Sequence, residues 1–132
     1  MANVLIADDV DMVRRFLRRI VEDLGHTPVE AENGEVAWAK FQKIPMDLCI
    51  IDVKMPMMDG VTFLRKAKEV DPYAVVIMVT GFPSDETIHE TIEEGAYTYV
   101  TKPLKVDQMR ELIEQGLEFR RLQLQKTKEK NS

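Results

Sequence analysis

The chain has 132 residues, 45% of them hydrophobic and 31% charged, which suits one folded domain and excludes a disordered chain. Its net charge of -5 argues against a protein that grips phosphate backbones through bulk charge. The charge is unevenly spread: residues 120–132 carry a net +4 and the rest of the chain -9, so an acidic body ends in a basic tail. The single cysteine, Cys49, excludes an internal disulfide and fits a reducing compartment; its apolar setting, Leu48-Cys49-Ile50-Ile51, predicts a buried structural thiol. The start shows no basic segment followed by an apolar one, and no apolar run nears the roughly 18 residues that span a bilayer. These features predict a soluble protein of the cytoplasm.

Val4-Leu5-Ile6-Ala7 reads as a first strand, continuous in its hydrophobicity and so buried on both faces. A helix follows through Met12, Val13, Phe16, Leu17, Ile20, Val21 and Leu24, spaced three and four apart, with Gly25 as its stop. Its opposite side carries Arg14, Arg15, Arg18 and Arg19, either a solvated face or a docking edge. Thr27–Ala31 predicts a second strand, and Asn33-Gly34 turns into a helix through Val36, Ala37, Ala39 and Phe41. Asp47–Asp52 predicts the third strand and Val61–Val70 the third helix. Ala74–Thr80 is the fourth strand. Ser84, with Asp85 and Glu86 behind it, opens a helix that ends at Gly95, because a hydroxyl cap and first-turn acids satisfy free N–H groups and the macrodipole. Tyr97–Val100 is the fifth strand, and a last helix starts near Val106 and runs toward the tail.

Strict alternation of buried strands and helices predicts an α/β fold, a parallel sheet covered on both faces. Right-handed crossovers leave the doubly wound, flavodoxin-like (βα)5 order 2-1-3-4-5 as the simplest arrangement. Ligands in such sheets bind beyond the carboxyl ends of the strands, where the first and third strands are neighbours. The first strand ends in Asp8-Asp9 and the third in Asp52, so three carboxylates are expected in one crevice. Close like charges repel unless a cation sits among them, and an all-oxygen set favours a hard ion such as Mg²⁺. Two carboxylates would repel the phosphate of a flavin nucleotide, which argues against that ligand. Thr80 closes the fourth strand as a hydroxyl donor, and Lys102 follows the fifth as a cation. Together they supply what a phosphoryl group on Asp52 needs: charge neutralisation and a hydroxyl for one oxygen.

These residues resemble the response-regulator receiver family. The resemblance rests on Asp8-Asp9, the run Asp52-Val53-Lys54-Met55-Pro56-Met57-Met58-Asp59-Gly60, Thr80-Gly81, and Tyr99-Val100-Thr101-Lys102-Pro103, and covers about residues 1–120. It implies that Asp52 is the phosphoacceptor, and that Asp9, Asp52 and the backbone carbonyl of Lys54 bind Mg²⁺ directly while Asp8 acts through water. Lys102 would pair with the phosphoryl group, and its bond to Pro103 would be cis. Thr80 and Tyr99 would move together as the switch, biasing the surface of the fourth helix, fifth strand and fifth helix. The partners implied are a sensor histidine kinase, for which the arginine-bearing helix is one possible docking edge, and a downstream protein or a second copy. Neither nucleic acid nor membrane is an expected partner. Such a protein is not an enzyme on external substrates; it catalyses only its own phosphorylation and dephosphorylation.

Several readings stay open. Lys54 and Phe82 stand two residues beyond Asp52 and Thr80, where family members vary and tune phosphoryl lifetime; the Lys54 ammonium either sits over the site or is solvated. The expected division is a receiver at 1–120 and a basic tail at 121–132 that continues the last helix, for pairing, as a lead to an output domain, or as a frayed end. A receiver cut from a larger DNA-binding regulator is the alternative, although no helix-turn-helix pattern follows residue 120. A haloacid dehalogenase-type phosphatase fits less well, since its DxD pair lies on one strand whereas Asp52 stands 43 residues beyond Asp9.

Overall fold

A computed structural model describes residues 1–130. Five strands alternate with five helices: β1 (Asn3–Ala7), α1 (Asp11–Asp23), β2 (Thr27–Ala31), α2 (Gly34–Lys43), β3 (Leu48–Asp52), α3 (Gly60–Val70), β4 (Val76–Thr80), α4 (Asp85–Glu93), β5 (Thr98–Thr101) and α5 (Val106–Lys130). All four strand pairings are parallel and the order is β2-β1-β3-β4-β5, the doubly wound topology expected from the alternation.

The period of two along each strand divides the core into two layers. Leu5, Ala7, Cys49, Ile51, Val76 and Met78 face α2 and α3, where Trp38, Phe41 and Phe63 form a packed aromatic group. Val4, Ile6, Leu48, Ile50, Ile77 and Val79 face α1 and α5. Continuous burial holds for β3 and β4, whereas the edge strands β2 and β5 are partly exposed. Trp38 of α2 is partly buried and packs against the first layer. Cys49 is buried as anticipated, and burial pushes its thiol well above the usual range.

Helix ends follow the local chemistry. Asn33, Asp59 and Ser84 cap α2, α3 and α4 by accepting the N–H groups of Val36, Thr62 and Thr87 at 2.8, 2.8 and 3.1 Å. Gly25 and Gly95 follow α1 and α4 at φ +86° and +92°, a conformation in which a Cβ would be strained. The fourth strand begins two residues later than expected because the Ala74 N–H turns back to the Asp71 carbonyl. Asp59→Ala, which removes the cap behind the acceptor loop, should cost about 1 kcal/mol in urea denaturation. Among the described residues no helix is long and apolar enough to cross a membrane. The last two residues of the expected tail, 131 and 132, lie outside the described residues.

Candidate functional site

Sheet register builds the site. Ala7 pairs with Ile51, so Asp8 comes level with Asp52 at the carboxyl ends of β1 and β3. Asp52 pairs with Val79, placing Thr80 one step beyond it, and Thr80 pairs with Thr101, placing Lys102 one step further. Four residues far apart in the chain are thus delivered to one crevice by strand pairing alone.

Asp8 and Asp52 are buried there and Asp9 is exposed at the rim. One carboxylate oxygen from each lies within 4.8 Å of the others, a spacing and donor set that fit a hard divalent cation. Lys102 Nζ sits between the two buried acids, 3.0 Å from Asp8 Oδ2 and 3.3 Å from Asp52 Oδ2. The second Asp8 oxygen accepts the Val10 N–H at 2.8 Å, fixing the turn into α1. The Lys54 N–H donates to Asp52 Oδ1 at 3.2 Å.

Burial raises the Asp52 carboxyl to about 6, and the neighbouring Asp8 carboxylate adds to it against the opposing pull of Lys102. Burial works against the Lys102 ammonium as well, but its contacts with Asp8 and Asp52 outweigh that and lift it above the usual lysine value. The crevice therefore holds excess negative charge that one lysine only partly offsets. A divalent cation would complete the balance, and the residues present fit it.

Thr80 is buried, with its Oγ1 accepting the Phe82 N–H at 3.2 Å. Tyr99 stands outward on β5 with 39% of its surface exposed. The Lys102-Pro103 bond is cis. The Lys54 ammonium lies over the Phe82 ring, 5.1 Å from its centroid, and so joins the two positions singled out beyond Asp52 and Thr80.

Three supports were missed by sequence reasoning. Gly60 packs against the end of β3, where a Cβ would overlap the Asp52 carbonyl oxygen and stand 2.9 Å from Val53 Cα. Gly34 packs in the same manner against Met58 and donates to the Pro56 carbonyl, pinning the loop after Asp52. Arg14 reaches from α1 to the Asp8 carbonyl while pairing with Asp11 and Glu30. Only the position of each glycine behind a strand end or loop hints at these roles, and local sequence does not reveal close approach.

The family model of the response regulator receiver domain matches residues 4–114. The chemotaxis protein CheY of Bacillus subtilis is 34% identical over 115 residues, covering 86% of this chain and 96% of that protein. The regulatory protein AtoC of Escherichia coli is also 34% identical, over 116 residues, but there 88% of this chain matches 25% of AtoC. Among solved structures, a CheY-like receiver domain protein from Methanospirillum hungatei superposes with a TM-score of 0.90 at 28% identity, over 93% of this chain and 98% of that one.

Proposed function

This chain belongs to the response regulator receiver domain family, and we propose that it is a cytoplasmic switch that takes a phosphoryl group from a sensor histidine kinase onto Asp52. The observation that carries the reading is the convergence of Asp8, Asp9 and Asp52 around a shared cation position, with Lys102 bridging the two buried acids.

Asp9, Asp52 and the Lys54 carbonyl would hold Mg²⁺, with Asp8 acting through water. When bound, the ion supplies charge neutralisation between the carboxylates and the incoming phosphoryl oxygens. An Asp52 oxygen attacks phosphorus, the bond from phosphorus to the donor's imidazole nitrogen breaks, and the histidine keeps the electron pair. Lys102, freed from its carboxylate contacts, pairs with the transferred group. Thr80 exchanges its Phe82 N–H contact for a phosphoryl oxygen, and Tyr99 turns inward behind it. The resulting change of the α4, β5 and α5 surface selects a downstream protein, and turnover is confined to the chain's own phosphoryl group.

An apolar cleft of about 230 Å³ beside the site, lined by Met12, Val13, Phe16, Lys102, Pro103 and Leu104, suits docking of the kinase along α1. The arginine stripe is less suited to that role, since Arg14, Arg15 and Arg18 are engaged by Asp11, Glu22 and Glu30. The match to a quarter of AtoC supports a second reading, in which this receiver controls an attached output domain.

Purified protein incubated with acetyl phosphate should form an acid-stable, base-labile phosphoprotein only when Mg²⁺ is present. Failure of both acetyl phosphate and beryllofluoride to engage the site would refute the switch. Removing the Phe82 ring should free Lys54 and alter hydrolysis of the adduct. Phe82→Ala is expected to change the phosphoryl half-life about two- to tenfold, and the effect should vanish when Lys54→Ala is already present, because it acts through the freed ammonium. Radiolabel decay measures this.

A further inference from the structure

The turn from β1 into α1 carries two of the three clustered acids, and few contacts set its shape. The Asp8 N–H donates to the Ala31 carbonyl at 3.2 Å, and Asp8 Oδ1 accepts the Val10 N–H at 2.8 Å. Both contacts hold Asp8. Asp9 is exposed, and among the described residues its carboxylate has no hydrogen-bond or ion-pair partner. The direction of that carboxylate therefore follows from its backbone, first of all from the plane of the peptide joining Asp8 to Asp9.

One side chain fixes that plane. Val10 gives α1 no side-chain cap, and Arg14, one turn into the helix, reaches back instead. Its Nη1 donates to the Asp8 carbonyl oxygen, the acceptor of the same peptide. Nη2 pairs with Asp11 Oδ1 at 2.9 Å and Nε stands 3.7 Å from Glu30 Oε1 on β2. With three nitrogens engaged and 13% of the side-chain surface exposed, the planar fork is held in one orientation.

Charge and geometry make opposite demands here. A guanidinium near a cation position repels the ion, so its loss would tighten binding. Loss of the hydrogen bond frees the peptide, so binding would weaken. Asp11 and Glu30 flank the guanidinium and offset its charge, which leaves the hydrogen bond as the larger effect.

We propose that Arg14 is a positioning residue for the divalent cation: by holding the Asp8 carbonyl it aims the Asp9 carboxylate at the position shared with Asp8 and Asp52. The inference rests on the metal site proposed above. Arg15 supplies the contrast. It pairs with the same Asp11 at 2.6 Å, but its side chain is 70% exposed and, among the described residues, it makes no hydrogen bond to Asp8 or Asp9.

Isothermal titration of the metal-free chain with MgCl₂ tests this, with urea denaturation to establish that each variant is folded. Arg14→Met keeps the stem and removes the donors, and should raise the Mg²⁺ Kd about tenfold or more. Arg15→Met removes an equal charge and should leave the Kd within about twofold. Arg14→Lys keeps the charge but not the fork, so it should weaken binding about threefold or more, and it carries the test if the methionine variant does not fold. With acetyl phosphate, the rate that Arg14→Met loses at low Mg²⁺ should return as Mg²⁺ is raised. Wild-type or tighter binding by the Arg14 variants, an equal loss in Arg15→Met, or a deficit that saturating Mg²⁺ leaves in place would overturn the proposal while the receiver reading stands. No Mg²⁺ binding by wild type would refute the metal site itself and the proposal with it.

Discussion

Replacing Lys102 with methionine should lower the stability of the metal-free protein by about 2 kcal/mol at about pH 8, and most of the loss should disappear when Mg²⁺ is added. Lys102 Nζ stands 3.0 and 3.3 Å from two buried carboxylates, and methionine fills its space without the charge. Breaking a fully buried pair costs more, roughly 3–5 kcal/mol, but this lysine side chain keeps 23% of its surface in solvent, which reduces the penalty. The effect has a definite pH dependence. Asp52 titrates near 6 in the folded protein against 3.8 as an ordinary aspartate, so between those values the folded state binds more protons than the unfolded one. Stability therefore falls as pH rises from about 4 to about 6, by up to roughly 3 kcal/mol, and stays low above that window. Without Lys102 the carboxyl is driven higher, and the loss should extend further toward alkaline pH. Urea denaturation of both proteins at acid and alkaline pH, with chelator and with Mg²⁺, measures this. Equal stability of variant and wild type at about pH 8 would show that Lys102 does not neutralise the acids.

Gly60→Ala is expected to be at least as severe, at about 3 kcal/mol or more, with accompanying loss of Mg²⁺ binding. The added methyl group would meet backbone on two sides, the Asp52 carbonyl and Val53 Cα, and backbone cannot rotate away as a flexible side chain does. The Gly60 N–H also donates to the Val53 carbonyl at 2.8 Å, so withdrawing α3 to make room breaks that bond. Either adjustment moves the residue that carries the acceptor carboxylate. Denaturation gives the stability change and isothermal titration with MgCl₂ the affinity. A well-folded Gly60→Ala protein with wild-type Mg²⁺ affinity would show that the β3–α3 junction is looser than its packing implies.

These two residues differ in how far sequence exposed them. Lys102 was legible because it follows a short β-rich run and precedes a proline, and a cation at a strand end beside expected carboxylates has an evident electrostatic role. Asp8, Asp9, Asp52 and Thr80 were legible for the same reason: a parallel sheet aligns its carboxyl ends, so the last residue of each strand is placed by topology. The caps Ser84 and Asn33 could also be read, since their chemistry acts within a few residues. Gly60 and Gly34 were hidden because close approach of two backbones is a property of the assembled fold. Arg14 was hidden for a related reason; its stripe looked uniform, and only the assembled fold singles it out to hold the Asp8 carbonyl. The half-exposed β5 was read as a buried strand because hydrophobic runs do not tell an edge strand from a central one.

The central claim is that Asp52 accepts a phosphoryl group with the help of a divalent cation held by its neighbours. Intact-mass measurement of wild type and Asp52→Ala, each incubated with acetyl phosphate in Mg²⁺ or in chelator, tests it most directly. The account predicts one added phosphoryl group in wild type with Mg²⁺ and none in the other three samples. An adduct in Asp52→Ala, or one that forms equally well without metal, would contradict it.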